Sequence, residues 1–164
     1  MTLTRAGLGR DDQGPPPRGH PIIVLAEDDE DTRVVYGLIL RSVGYQVEDA
    51  TRGDDAVALT RSLRPNLVLM DIGLPGLDGW QASRILKSDA STSAIPLIAF
   101  SACVDSTADL NRGATFDGFI LKPISPRELV RRVDAYLTLL GVGRQRANQP
   151  PGARIDTPFD AGAH

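Results

Sequence analysis

The chain has 164 residues, 41% hydrophobic and 24% charged, with a formal net charge of −3. These values suit one soluble domain with tails. They give no electrostatic reason to expect nucleic-acid binding, and no apolar run approaches the ~20 residues of a membrane span, so neither nucleic acid nor membrane is an expected partner.

Cysteine and histidine usage narrows the chemistry further. A single cysteine, Cys103, excludes an internal disulfide and fits a reducing cytoplasm. The only histidines, His20 and His164, lie near the two ends, which argues against a histidine-based zinc site or a serine–histidine triad. Arginine outnumbers lysine sixteen to two, so Lys87 and Lys122 are each worth locating.

In chain order, residues 1–20 are rich in Gly, Pro and Arg, run through Pro15 to Pro17, and read as a flexible extension without a secretory apolar core. A domain over residues 21–140 follows, in which short apolar runs alternate with amphipathic segments of helical length. The first strand is Ile22–Ala26 and the first helix 30–43. Tyr45–Asp49 alternates polar and apolar residues, as an edge strand does, and precedes a helix over 53–63. Asn66–Met70 is a third strand, with a helix over 78–89 for which Asp78 is the N-cap. Pro96–Phe100 and a helix over 105–113 form the fourth pair; Gly118–Lys122 and a helix over 125–140 form the fifth. In the last helix, Ser125, Pro126 and Glu128 give a start signal, and Leu129, Val133 and Leu137 recur at core spacing. Residues 141–164 read as a second flexible tail, and no output domain is expected after residue 140. Four of the five strands are continuously apolar, as strands covered on both faces are. The expected class is α/β, a doubly wound parallel sheet.

In such sheets ligands bind beyond the carboxyl ends of the strands. The first strand is followed by Glu27, Asp28, Asp29, Glu30 and Asp31, the third by Asp71, the fourth by Ser101, and the fifth ends in Lys122. Each has an ordinary reading when taken alone. An acidic run is the usual solvated start of a helix, Asp71 suits a cap, Ser101 a turn, Lys122 a surface charge, Phe119 and Trp80 plain packing, and Cys103 a small partly buried residue. Taken together on one rim they constrain each other. Clustered carboxylates repel unless a cation sits among them, and oxygen ligands without imidazole or thiolate suit Mg2+. A lysine and a hydroxyl nearby would hold phosphoryl oxygens. Asp71 then reads as a nucleophile that forms an aspartyl phosphate, with the glycines and Pro75 shaping a loop whose carbonyl, that of Gly73, reaches the metal.

The segments Val24–Glu30 (VLAEDDE), Leu67–Gly79 (LVLMDIGLPGLDG), Ile98–Ala102 (IAFSA) and Phe119–Pro123 (FILKP) resemble the receiver domain of two-component response regulators of the stand-alone, chemotaxis-regulator-like kind. The resemblance implies a flavodoxin-like fold of five strands in the order 2-1-3-4-5 with five helices. It implies Asp71 as phosphoacceptor and Glu27, Asp28, Asp71 and the Gly73 carbonyl as the Mg2+ site. The acidic pair can be read as Glu27–Asp28 or Asp28–Asp29, and the former is preferred because Glu27 directly follows the strand. Ser101 and Phe119 take the switch positions, and a cis Lys122–Pro123 bond is expected. The implied partners are a sensor histidine kinase or histidine phosphotransfer protein and a downstream target protein, with the chain a monomer or weak dimer. A Mg2+-dependent phosphatase is the enzyme alternative. It is disfavoured because Gly73 stands where the common aspartate-nucleophile phosphatases carry a second aspartate, so at most slow self-dephosphorylation is expected. A phosphorylation-independent interaction module is disfavoured by the intact acids and lysine.

Overall fold

The computed structural model describes residues 20–102 and 115–147. The expected helix over 105–113, Cys103 and most of both expected tails lie outside the described residues. Strands β1 (Ile22–Ala26), β2 (Gln46–Ala50), β3 (Leu67–Met70), β4 (Leu97–Ser101) and β5 (Gly118–Leu121) alternate with helices α1 (Glu30–Ser42), α2 (Gly53–Leu63) and α3 (Gly79–Ser88), and α4 (Pro126–Ala147) closes the described chain. The sheet has the order β2-β1-β3-β4-β5, and every pair is parallel. β2 is an edge strand, as its alternation predicts. It starts one residue later than expected, and α4 runs seven residues past the expected end at 140.

Side-chain alternation along the strands divides the core in two. Val24, Ala26, Val68, Met70, Leu97 and Ala99 face Ala56 and Val57 of α2 and Trp80, Ala82 and Leu86 of α3. Ile23, Leu25, Leu67, Leu69, Ile98, Phe100 and Ile120 face Leu40 of α1 and Leu129 and Val133 of α4. The continuous apolar runs in the sequence are therefore strands buried on both faces. Charge and capping fix where the helices begin. Asp29 caps α1 by accepting from the Thr32 N–H at 2.8 Å. Asp78 caps α3 in a reciprocal capping box with Gln81. At α4 the Glu128 N–H donates to Ser125 Oγ at 3.3 Å, while the Glu128 carboxylate forks onto Arg131. Arg41, in the last turn of α1, donates to the Val47 carbonyl at 2.9 Å and to Asp49 Oδ2 at 3.0 Å.

The loop after β3 is held by close backbone approach. A Cβ on Gly53 would overlap the Leu77 carbonyl oxygen, and one on Gly79 would overlap that of Asp71. Gly79 also donates its N–H to the Ile72 carbonyl at 2.8 Å. A Cβ on Gly73, by contrast, would meet nothing within 4 Å. The prediction is a contrast between alanine variants. Gly53→Ala and Gly79→Ala should each destabilise the fold by about 2 kcal/mol through overpacking, while Gly73→Ala should stay within ~0.5 kcal/mol of wild type. Urea melts read the difference, and equal stabilities for all three would refute the packing argument.

Candidate functional site at the carboxyl ends of the strands

The site begins with the directions in which β1, β3, β4 and β5 end. β1 and β3 are neighbours in register, Ala26 opposite Met70, so the residues after each, Glu27 and Asp71, emerge side by side. The Asp71 N–H donates to the Ala26 carbonyl at 2.9 Å and the Glu27 N–H to the Ala50 carbonyl at 2.9 Å, which carries the ladder pairing up to the rim. Carboxylate oxygens of Glu27, Asp28 and Asp71 all lie within 4.8 Å of one another. Glu27 is buried, Asp71 partly buried and Asp28 exposed, so the cluster opens to solvent on the Asp28 side. Asp29 is not in this group. Its carboxylate caps α1, and that contact with Thr32 holds its pKa below the usual carboxylate range.

On the far bank, the Lys122 N–H donates to the Ser101 carbonyl at 3.0 Å, which ties the end of β5 to the end of β4. Lys122 Nζ makes a short hydrogen bond to Glu27 Oε2. It lies 3.8 Å from Asp71 Oδ2 and 5.3 Å from the centroid of the Phe100 ring. The Lys122–Pro123 peptide is cis. Ser101 is buried at the end of β4, and Phe119 of β5 pairs with Ala99 of β4. The Phe119 ring packs at 6.0 Å from Phe116 and 6.5 Å from Trp80. The Gly73 N–H reaches back to Asp71 Oδ1 at 3.4 Å, which makes a tight turn at the mouth of the cluster.

Electrostatics at this rim are unbalanced in one direction. Burial pushes the Glu27 carboxyl above its ordinary pKa and the neighbouring Asp71 charge adds to the rise, while Lys122 and the Asp29 N–H oppose it. The donor set is oxygen only, partly open to water and rich in negative charge, which fits Mg2+, an ion that keeps several waters and takes a few carboxylates. Glu27, Asp28 and Asp71 are the residues that would hold it.

Two contacts at the rim have no counterpart in the sequence reading. Arg33 of α1 donates from Nη1 to the Glu27 carbonyl at 3.0 Å, and Tyr36 of α1 accepts from the Ile124 N–H at 3.3 Å. The only hint of Arg33 in the sequence is a cation one turn into an acidic run. The second lysine, Lys87, is structural. It bonds the Ser93 and Ile95 carbonyls and Asp117, away from the acids.

A pH prediction follows from Glu27. Its pKa is raised on folding, so its contribution favours the folded state below the ordinary value of 4.5 and is lost as pH rises through the folded value. In metal-free protein Glu27→Gln should therefore be more stable than wild type near neutral pH and indistinguishable from it in acid, below both pKa values. Melts across that range read this, and a Glu27→Gln variant less stable at neutral pH would contradict it.

The family model described as response regulator receiver domain matches residues 23–134. The DNA-binding response regulator MtrA of Mycolicibacterium paratuberculosis is 36% identical over 145 residues, 87% of this chain and 60% of MtrA. The transcriptional regulatory protein AfsQ1 of Streptomyces coelicolor is 34% identical over 117 residues, 71% of this chain and 51% of AfsQ1. The chain thus spans about 60% of the length of the first of these curated relatives. Among solved structures, the receiver domain of the sensor histidine kinase PA1611 from Pseudomonas aeruginosa, with a magnesium ion coordinated in its active-site cleft, is similar at 29% identity and a TM-score of 0.67, covering 73% of this chain and 99% of that one. The signal receiver domain of a signal transduction histidine kinase from Syntrophus aciditrophicus is similar at 28% identity and a TM-score of 0.66, covering 82% and 99%.

Proposed function

This chain belongs to the response regulator receiver domain family of two-component signalling, and from that premise we propose that it is a phosphorylation-dependent switch whose phosphoacceptor is Asp71. The observation that carries the reading is the meeting of the Glu27, Asp28 and Asp71 carboxylates within 4.8 Å, with Lys122 bridging Glu27 and Asp71. A site of this charge is poised for an incoming phosphoryl group only when cations offset it.

In the proposed reaction an Asp71 carboxylate oxygen attacks the phosphorus of a phosphohistidine on a sensor kinase or phosphotransfer protein. The new bond is Asp71 O–P; the bond that breaks is N–P, and the imidazole leaves with its electron pair and is protonated. Bound Mg2+ would supply charge neutralisation for the transferring phosphoryl oxygens. Glu27, Asp28 and Asp71, with the Gly73 carbonyl, are proposed to hold it. Lys122 exchanges part of its contact with Glu27 for a phosphoryl oxygen, and the buried Ser101 hydroxyl donates to another. No second carboxylate stands at Gly73 to activate water, which supports slow self-dephosphorylation rather than phosphatase turnover.

The output is proposed to pass through a protein–protein contact. Ser101 and Phe119 lie on adjacent strands, two residue pairs apart in register, and Phe119 rests on the Trp80–Phe116 cluster. Drawing Ser101 toward the phosphoryl group would bias the packing of this ring and, with it, the face made by β5 and α4. DNA binding is named for MtrA; the reading for this domain is a downstream protein target, with the chain a monomer or weak dimer. It places the chain in the cytoplasm, in keeping with its single cysteine. Among the described residues no helix is long and apolar enough to cross a membrane.

Two experiments test the proposal. With a small phosphodonor and Mg2+, wild type should be labelled and Asp71→Asn should not, while Asp28→Asn should label poorly; full labelling of Asp71→Asn would sink the assignment. Ser101→Ala should still be labelled, yet lose about fivefold of the phosphorylation-induced gain in affinity for the target, the worth of one hydroxyl contact. An undiminished gain would mean that the signal leaves by another face.

A further inference from the structure

The two banks of the site rest on one face of α1. Arg33 and Tyr36 are three residues apart, so they share a side of the helix. Arg33 Nη1 donates to the carbonyl of Glu27 at 3.0 Å and reaches that of Asp28 at 3.5 Å. These are the backbone units from which two of the three clustered carboxylates hang. Glu27 is otherwise fixed by its N–H on Ala50, by Lys122, and by the Asp29 N–H on its Oε1 at 3.1 Å. Asp28 is exposed, and Arg33 is the side chain that reaches its peptide. One turn further along the helix, the Tyr36 ring meets Phe100 edge-on at 4.9 Å between centroids. Its hydroxyl accepts the Ile124 N–H at 3.3 Å, two residues past Lys122. Phe100 is also the ring over which Lys122 Nζ lies.

We infer that Arg33 and Tyr36 are positioning residues, Arg33 setting the acid loop for Mg2+ and Tyr36 setting the lysine loop for the phosphoryl group. The inference rests on the proposed site. Neither residue touches the reacting atoms. Each acts by adding a tether to a backbone segment beside the site, and small losses of position are costly at a metal or phosphoryl site.

The sign of one effect separates position from charge. Arg33 is a cation close to a cation site, so by Coulomb's law alone its removal should tighten Mg2+ binding. Positioning requires the reverse. Calorimetric titration of the full chain with Mg2+ should show Arg33→Met weakened about tenfold, in the range typical of outer-layer partners of a metal site. Tyr36→Phe, which loses only the acceptor oxygen, should keep the wild-type Mg2+ affinity. Binding of beryllium trifluoride, a phosphoryl mimic, at saturating Mg2+ should show the opposite pattern, with Tyr36→Phe weakened about threefold and Arg33→Met unchanged.

Melts establish that each variant folds, and Arg33→Lys, which keeps the charge but draws the donor back, substitutes if Arg33→Met does not. Asp28→Asn is the control. If Asp28→Asn loses Mg2+ affinity while Arg33→Met holds or gains it, the positioning role is overturned and the site stands. Equal weakening of both ligands in both variants would indicate general loosening and overturn it too. If Asp28→Asn leaves Mg2+ affinity intact, the site assignment itself fails and the inference falls with it.

Discussion

Everything at the rim depends on how three carboxylates are kept together. Held within 4.8 Å of one another, Glu27, Asp28 and Asp71 repel, and the buried member carries a desolvation cost as well. Lys122 offsets both. Its ammonium, itself mostly buried, pairs with Glu27 and stands close enough to Asp71 to stabilise that charge. Among the described residues Lys122 is the one ammonium paired with this cluster of three carboxylates, and the negative charge left over is what would favour a divalent ion.

The fold supplies the geometry at low cost because parallel strands all end at the same edge of the sheet. Ala26 and Met70 stand opposite each other in register, so the next residue on each strand needs no special conformation to bring its carboxylate to the common rim. β4 and β5 deliver Ser101 and Lys122 in the same way. The two apolar layers, one against α2 and α3 and one against α1 and α4, immobilise the strand ends. The chemistry therefore inherits the rigidity of the core rather than that of the loops.

This division also decides what could be read from the sequence. β1 was legible to the residue, because five apolar residues run directly into an acidic stretch. Asp71 and Lys122 were legible because a charge that terminates a buried strand has few structural uses. The choice of Glu27 over Asp29 as the partner of Asp28 rested only on Glu27 directly following the strand, since adjacent acids in a turn carry no other local mark of direction. The structure separates them through the Thr32 N–H that Asp29 takes as a cap. Arg33 and Tyr36 carry no distinct signal in the sequence for a related reason. An arginine and a tyrosine on an amphipathic helix look like ordinary surface and boundary residues until the sheet brings loops 27–29 and 122–124 to them. Gly73 and Gly79 of the loop after β3 look alike in sequence, yet the close approach of the Asp71 backbone leaves no room for a side chain at Gly79, as Leu77 leaves none at Gly53 of α2, while Gly73 is sterically free.

Arg41 has a consequence for how this molecule meets others. Along β2 the Gln46 N–H and the Ala50 carbonyl turn toward β1, so by alternation the polar groups of Val47 and Asp49 turn outward, along the open margin of the sheet. The outward Val47 carbonyl is occupied by the Arg41 guanidinium, for which Gly37 leaves room beneath. At the opposite margin Arg132 of α4 donates to the Phe119 carbonyl at 2.9 Å. Each open strand is thus fastened by an arginine from the helix that overlies it, and a visiting strand would have to displace a charged donor before it could pair. The two arginines thus oppose growth of the sheet by strand addition at both of its margins.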